Sequence, residues 1–342
     1  MSAFLMVPIN ANGVVMDADI AGNAANAMSA ALNISDVFVY SHGWSTDADG
    51  AMTLYNRFSI EFMHWLADNP AGPALTHSAL SVGIHWPSEL TEDSGSVPPA
   101  FAAVLDKVQP LTFYTMEKRA DSTGTHGVYA VLRQLISNYS RPPVLPPASA
   151  APLTINLIGH SFGCKVVTSA LEAIYADLKT GKLQSPLQGL RFRLVLIQGA
   201  FENKQLDPKA CYGDVAALDI QMLVTTSQLD SALVSAFPLA HRLVDFFGDP
   251  APALGAAGPT AATIAAFGGA DQLSIVPAFD TTLASAATER LVVADLTPLH
   301  AAHPENDNQW GGHHSDFNHP EVYALIAGFL RRNMTVLTPP SP

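Results

Sequence analysis

Cysteine is scarce in this chain, with two residues, Cys164 and Cys211, among 342. Two thiols cannot form a zinc site without other ligands, and a single disulfide would be an unusual scaffold for a protein of this length. We therefore expect both cysteines to be small buried side chains with no further role.

Basic residues are also few, with 17 Lys and Arg against 30 Asp and Glu and a formal net charge of −13. Nucleic acids and anionic membranes bind positively charged surfaces, so neither is expected as a partner. No segment has the roughly 18 uninterrupted apolar residues that a membrane span needs. Residues Met1 to Asn10 lack a basic n-region, and Pro8 interrupts their apolar stretch, so no signal peptide and a cytoplasmic location are expected.

The composition is that of a folded globular protein, with 48% hydrophobic and 14% charged residues. Short apolar runs rich in β-branched residues alternate with helical patterns, which is typical of an α/β protein with a parallel sheet covered by helices. We interpret residues 1–342 as one domain. The predicted strands are Phe4 to Ile9, Asp36 to Ser41, Ala79 to His85, Leu153 to Ile158, Arg191 to Gln198, Asp219 to Thr225 and Arg290 to Asp295.

Helical patterns lie between the predicted strands, and two further stretches do not fit the alternation. The predicted helices are Gly50 to Ala67, Thr125 to Asn138, Phe162 to Leu178, Asp230 to Phe237 and Pro320 to Arg332. The two exceptions cover roughly residues 87–124 and 247–286. Long insertions in a compact domain are often functional, so we interpret these two as cap or lid segments.

The motif Gly-x-Ser-x-Gly occurs at residues 159–163, with Ser161 at its centre. This motif alone has little specificity, so the elements around it determine whether it indicates a nucleophilic serine. Here a buried strand precedes the motif and a helix follows it, so the motif predicts a tight turn that exposes the Ser161 hydroxyl as a nucleophile. The alternative is an ordinary strand-to-helix turn in which Ser161 caps the helix. If Ser161 is the nucleophile, the backbone N–H of Phe162 is a predicted donor to an oxyanion.

A second oxyanion donor is predicted upstream, where an apolar strand ends in His42-Gly43-Trp44. Gly43 would permit close approach, and the backbone N–H of Trp44 would be the partner of the Phe162 amide. In the alternative interpretation this segment only turns the chain and Trp44 belongs to the core.

A nucleophilic serine needs a histidine base and a carboxylate that orients the base. Asp230 lies just beyond a predicted strand, where its side chain can reach the crevice at the carboxyl ends of the strands, so we choose it as the acid. It could instead cap the next helix. Glu202, which follows the preceding strand, is the second choice, ahead of Asp207 and Asp280.

Five histidines lie between the last predicted strand and the last helix: His300, His303, His313, His314 and His319. They cannot all be bases. The base is expected close to the last helix and after Gly311-Gly312, so His314 is the first choice, His313 the second and His319 the third. The cluster could also supply metal ligands, but it has neither the HExxH spacing nor a cysteine partner, so no metal is expected.

These segments together resemble the α/β-hydrolase superfamily, in particular its bacterial serine esterases and lipase-like members. The matching segments are residues 42–44, 159–163, 227–232 and 314–322, which follow the order of that family along most of the chain. The resemblance implies a mostly parallel eight-stranded sheet, no cofactor and a Ser161, Asp230 and His314 triad. The glycine-triplet oxyanion motif of some lipases is absent.

The expected function is hydrolysis of small to medium acyl esters by a serine carboxylesterase, through an acyl-enzyme. An amidase or a thioesterase would use the same residues, and the sequence does not separate the three. An inactive binding protein with the same fold is the alternative from another class. The expected partner is a small-molecule ester, and the sequence leaves the oligomeric state open.

Overall fold

The computed structural model describes residues 3–17, 34–44, 46, 48–68, 78–89, 109–139, 153–183, 190–218, 220–244, 251–277, 280, 289–307 and 311–330. Within these residues one sheet has eight strands in the order β1-β3-β2-β4-β5-β6-β8-β7, and every neighbouring pair is parallel. The strands are β1 (Ala3–Pro8), β2 (Ile34–Ser41), β3 (Ser78–His85), β4 (Leu153–His160), β5 (Leu190–Ile197), β6 (Gln221–Thr226), β7 (Leu273–Pro277) and β8 (Leu291–Asp295).

Helices cover the sheet on both faces. The α-helices are α1 (Ala48–Asp68), α2 (Gln109–Ser122), α3 (Tyr129–Tyr139), α4 (Phe162–Lys179), α5 (Phe237–Val244), α6 (Leu254–Ala257), α7 (Ala261–Ala266), α8 (Thr297–Ala302) and α9 (Pro320–Leu330). Two π-helical segments, Thr123–Val128 and Ala232–Ala236, run directly into α3 and α5. Short 3-10 turns occupy Asn203–Leu206, Gly213–Ala217, Ala270–Gln272 and Pro304–Asn306.

The core is divided between the two faces of the sheet, because successive side chains of a strand point in opposite directions. In β2, Val37 and Val39 pack into the cluster beneath α2, α3 and α4, whereas Phe38 and Tyr40 pack into the cluster beneath α1 and α9. Every residue of β4 is buried. Strands covered on both sides must be apolar on both sides, which explains their nearly continuous hydrophobic runs.

The α/β class and the eight-stranded sheet are confirmed, and each of the seven predicted strands corresponds to an observed strand. The eighth strand, β7, was not predicted. It lies at the edge of the sheet inside the stretch 247–286, and Ile275 in its middle is 68% exposed, so it lacks the apolar signal of the central strands.

The two predicted insertions are described in part. Helix α2 occupies the end of the stretch 87–124, and α6, α7 and β7 occupy much of the stretch 247–286. Residues 90–108, 245–250 and 281–288 lie outside the described residues, and a cap or lid role for either stretch stays a prediction. Cys164 is buried as expected, but the expectation was wrong for Cys211, which is exposed in a turn between two 3-10 segments.

Among the described residues, no helix has the length and apolar character needed to cross a membrane.

A buried ion pair joins α4 to α2. The Lys165 ammonium lies 2.9 Å from Glu117, and these side chains are 8% and 7% exposed. The Nε2 atom of His241 in α5 lies 3.8 Å from the other Glu117 carboxylate oxygen. Two charges that are withdrawn from water depend on each other, because either one alone would be buried without compensation.

We expect Lys165→Met to lower the free energy of unfolding by about 3 to 5 kcal/mol, because Glu117 would stay buried without its partner. Replacing both members by Met and Leu should recover much of this loss. The matched control is Lys179→Met on the same helix, whose exposed pair with Asp214 should contribute less than about 1 kcal/mol. Urea denaturation measures all three variants, and equal losses for the two lysines would contradict the prediction.

Candidate active site

The candidate site lies at the carboxyl edge of the sheet. The chain leaves β2 toward β3 on one side, whereas it leaves β4 toward β5 on the other side, so the strand order reverses between β2 and β4. In open α/β sheets a crevice forms at such a reversal, outside the carboxyl ends of the strands. The residues after β2, β4 and β6 meet there.

Ser161 occupies a strained turn between β4 and α4. Its φ of 56° and ψ of −125° are rare for a residue with a side chain, and such strain costs on the order of 1–3 kcal/mol. Two hydrogen bonds maintain the turn: the Ser161 N–H donates to the Ile197 carbonyl at 3.1 Å, and the Ala200 N–H donates to the Ser161 carbonyl at 3.1 Å. The Ser161 hydroxyl does not cap α4.

The turn is possible because glycine stands where backbones touch. A Cβ on Gly163 would lie 2.1 Å from the Ser41 carbonyl oxygen, and a Cβ on Gly43 would lie 2.7 Å from the Cβ of Ser161. The end of β2 therefore packs directly against the Ser161 turn. The two segments that the sequence singled out, residues 42–44 and residues 159–163, meet through this contact.

The Ser161 hydroxyl is the first member of a hydrogen-bonded chain. Its Oγ lies 2.7 Å from Nε2 of His314, and Nδ1 of His314 lies 2.8 Å from Oδ2 of Asp230. A carboxylate only accepts hydrogen bonds, so Nδ1 carries the proton and Nε2 is free to accept the serine proton. The residues chosen first as nucleophile, base and acid are thus brought into contact from three separate loops.

Asp230 is fully buried and accepts three hydrogen bonds. His314 Nδ1 and the Gln198 side-chain amide, each at 2.8 Å, donate to Oδ2, and the Leu233 backbone N–H donates to Oδ1 at 3.0 Å. The bond to Leu233 also shows that Asp230 caps the helical segment that follows it. The carboxylate therefore both contacts His314 and caps the following segment, and it uses a different oxygen for each contact.

The two expected oxyanion donors belong to residues beside the Ser161 turn. Phe162 is the first residue of α4, where backbone N–H groups have no partner within the helix. Trp44 follows Gly43, which touches Ser161. Among the described residues, neither the Phe162 nor the Trp44 amide has a hydrogen-bond acceptor within the protein.

His42 determines how the Trp44 amide is oriented. Its Nδ1 donates to the Gly43 carbonyl at 2.8 Å, its Nε2 accepts from the Trp86 amide at 3.3 Å, and its ring stacks on the Trp86 indole. The Gly43 carbonyl and the Trp44 N–H belong to one planar peptide group and point in opposite directions. Holding the carbonyl therefore also directs the N–H.

Aromatic rings pack beside the two predicted oxyanion donors. Phe113 of α2 contacts Phe162, with ring centroids 5.0 Å apart, and Trp44, with centroids 6.3 Å apart. Phe237 of α5 also contacts Phe113, with ring centroids 5.2 Å apart. Phe113, Phe162 and Phe237 are buried, whereas Trp44 is half-buried, so Trp44 is both packed and accessible.

The second choices lie outside the Ser161 chain. His313 contacts Asp316 at 2.7 Å and stacks on His300. Glu202 accepts a hydrogen bond from the Ala251 N–H at 3.0 Å and lies 3.3 Å from the Lys204 ammonium. His319, the third choice as base, also contacts Asp316, at 2.6 Å.

The histidine cluster forms a set of hydrogen bonds around Asp316. Contacts from His313 and His319 hold the pKa of Asp316 below its usual range despite partial burial. His300 contacts the Asp316 backbone carbonyl at 3.0 Å and the Ser227 hydroxyl at 2.7 Å. In the part of the chain that the structure describes, no group of three or more His, Cys, Asp or Glu residues has a geometry that could hold a metal ion.

Two buried polar side chains at the site were not predicted from the sequence. Gln198 follows β5 and contacts Asp230, and His160 precedes Ser161 and contacts the His314 backbone. A polar residue at the end of each buried strand was a usable signal, because carboxyl ends of parallel strands converge. It did not indicate which partner each residue would contact.

Models of known protein families and the sequences of curated proteins gave no match to this chain.

We expect Gly43→Ala to reduce the reactivity of Ser161 by about 100-fold, because the new methyl group would displace the serine side chain by a fraction of an ångström or more. The rate of covalent labelling by a fluorophosphonate measures this reactivity. The control is Gly199→Ala, whose Cβ would meet only ordinary contacts at 3.4 Å and beyond. Equal labelling rates for Gly43→Ala and the unmodified protein would contradict the packing argument.

Stability should depend on pH through His42. Burial lowers the pKa of His42 from 6.5 to about 3, and the nearby His85 adds to this shift, whereas the bond to Gly43 opposes it. Between these values the unfolded chain binds a proton that the folded chain does not. The contribution of His42 to stability is therefore full above about pH 6.5 and falls as the pH decreases toward 3, by up to about 1.4 kcal/mol per pH unit.

The variant His42→Asn should reduce that slope, as measured by urea denaturation between pH 4 and 6. A core truncation, Leu157→Ala, should lower stability at every pH and leave the slope as it is. A slope that His42→Asn does not change would contradict the assignment of this proton to His42.

Proposed function

We propose that this protein is a serine hydrolase of the α/β-hydrolase superfamily that cleaves carboxylic esters of small to medium acyl groups. The observation that carries the proposal is the hydrogen-bonded chain from Ser161 through His314 to buried Asp230, with Ser161 on a strained strand-to-helix turn. Strain and a buried carboxylate are costly, and both are expected where a nucleophile must be displayed and activated.

The first step is attack of the Ser161 oxygen on the acyl carbon of the ester. As the new C–O bond forms, the hydroxyl proton passes to Nε2 of His314. The resulting imidazolium is stabilised by the Asp230 carboxylate at 2.8 Å, which also keeps the ring in the required tautomer. The proton stays on the imidazole and does not pass to Asp230.

The carbonyl oxygen becomes negative as the tetrahedral intermediate forms. The Phe162 and Trp44 N–H groups are the proposed donors to this oxygen, and they are backbone groups that need no rearrangement during the reaction. The position of Phe162 at the first turn of α4 adds the favourable potential of a helix N-terminus.

Collapse of the intermediate breaks the bond between the acyl carbon and the alkoxy oxygen, and His314 Nε2 gives its proton to the departing alcohol. Water then attacks the acyl-enzyme, with His314 as base, and releases the acid and the free Ser161 hydroxyl. The same residues would act on amides and thioesters, so the test includes these leaving groups.

Ser161→Ala is expected to abolish fluorophosphonate labelling and to lower ester hydrolysis by about four to six orders of magnitude. A panel of p-nitrophenyl acyl esters of increasing chain length, with matched anilides and thioesters, measures the rates. The esters should be the better substrates. A wild-type protein that neither labels nor hydrolyses any of these compounds, or an Ser161→Ala variant with full activity, would overturn the proposal.

The roles of the neighbouring candidates are distinguished by paired variants. His314→Ala and Asp230→Asn should lose activity by about four orders of magnitude or more, because each removes a member of the hydrogen-bonded chain. The matched changes His313→Ala and Glu202→Gln should retain measurable catalysis, since these side chains contact Asp316 and the Ala251 amide instead. The opposite pattern in either pair would reverse the assignment of the base or of the acid.

A further inference from the structure

Two buried side chains donate hydrogen bonds to the backbone carbonyls of His313 and His314 without contacting the ring nitrogens of His314. We propose that Gln198 and His160 are positioning residues that fix the direction of the His314 imidazole by holding the two peptide groups that flank its Cα atom. This inference rests on the proposed function, since it assigns to both residues a role in the reaction of Ser161.

Gln198 contributes the first contact. Its side-chain amide nitrogen donates to the His313 carbonyl at 3.0 Å and to Oδ2 of Asp230 at 2.8 Å, so one NH₂ group joins the base loop to the acid. The residue is fully buried and has a φ of 47°, which is rare for a residue with a side chain. Its backbone N–H donates to the Thr225 hydroxyl at 2.9 Å, which anchors it on β6.

His160 contributes the second contact. Its Nε2–H donates to the carbonyl of His314 at 2.7 Å, and its ring packs against those of His314 and Phe317, with centroids 5.0 and 4.5 Å away. His160 is the last residue of β4 and directly precedes Ser161. Ser161, the proposed nucleophile, is therefore joined by one peptide bond to His160, which hydrogen-bonds to the backbone of the proposed base.

The two contacts act on successive peptide groups. The His313 carbonyl belongs to the peptide before the His314 Cα atom, and the His314 carbonyl belongs to the peptide after it. Peptide groups are planar, so a residue has only two soft backbone dihedrals, and holding both planes determines both. The side chain then leaves the backbone in one direction, toward Ser161 and Asp230.

The loop that carries His314 needs its backbone to be held because two glycines precede it. Gly311 and Gly312 stand immediately before His313, and Gly312 has a φ of 55°. Glycine has more accessible conformations than any other residue, so this segment has little stiffness of its own. Contacts from His160 at the end of β4 and from Gln198 directly after β5 supply the stiffness instead.

Both contacts are made by neutral donors. The Gln198 amide does not titrate, and burial lowers the pKa of His160 to about 3, with the nearby His314 adding to the shift. His160 therefore stays uncharged at neutral pH. A positive charge at this distance from His314 would oppose the imidazolium that forms during the reaction.

The experiment compares matched pairs of variants in the full-length protein. Gln198→Met keeps the length of the side chain and removes the donor. The control Gln221→Met makes the same change at a buried glutamine that begins the neighbouring strand β6. His160→Phe removes the other donor, whereas His160→Gln keeps an amide N–H near the position of Nε2. Rates of p-nitrophenyl ester hydrolysis give kcat and KM, and thermal unfolding reports on folding.

We expect Gln198→Met and His160→Phe to lower kcat by about 10- to 100-fold with little change in KM, because misplacement of the base affects the transition state more than binding. His160→Gln should recover most of the loss, and Gln221→Met should match the wild type. Should Gln198→Met fail to fold, the two His160 variants decide the question.

A second measurement separates positioning from a general structural effect. In a His314→Ala background, the residual rate should not fall further when Gln198→Met or His160→Phe is added, because both act through His314. A further 10-fold loss there, or an unchanged kcat in the single variants, would overturn the inference. Failure of the wild type to label with a fluorophosphonate would instead overturn the proposed function.

Discussion

The crowded turn at Ser161 is the constraint on which the rest of the site depends. The left-handed backbone of this residue persists because β4 leads into it, α4 leaves it, and the ends of β2 and β5 pack against it. Closely packed interiors transmit such constraints, because atoms have no space into which they can relax. The loop after β2 is placed by the same contact, since Gly43 touches Ser161 directly.

A second constraint comes from the buried carboxylate of Asp230. A carboxylate without contact to water needs several donors, and here they come from three parts of the chain: His314, Gln198 and the Leu233 backbone. Satisfying that one group therefore brings together the ends of β5 and β6 and the loop before α9. The requirement for hydrogen bonds at a buried charge and the proposed requirement of catalysis are met by the same arrangement.

Much of this architecture was predictable because its signals are local. The strands β4 and β5 are rich in apolar residues, and a helical pattern follows Ser161, so their order along the chain was readable. The edge strand β7 was not, since an exposed strand such as Leu273–Pro277 has no continuous apolar run. The two π-helical segments were also missed, because nothing in local composition distinguishes them from α-helix.

The candidate site was likewise predictable only where its sequence signals are local. Ser161 could be singled out from five residues and their flanking elements, whereas His314 and His313 are neighbours of the same type in one polar loop. Tertiary contacts separate them: one ring faces Ser161 and Asp230, and the other faces Asp316 and His300.

What the sequence determined by itself is the alternation of elements, the place of the serine between a strand and a helix, and the order of acid and histidines after it. What only the tertiary structure decided is which carboxylate and which imidazole meet the serine, and that Gln198 and His160 hold the loop between them. The reason is physical. Hydrophobic periodicity is a property of residues that are neighbours in the sequence, whereas these hydrogen bonds join residues that are far apart in it. Only the folded sheet brings the ends of their strands to one edge.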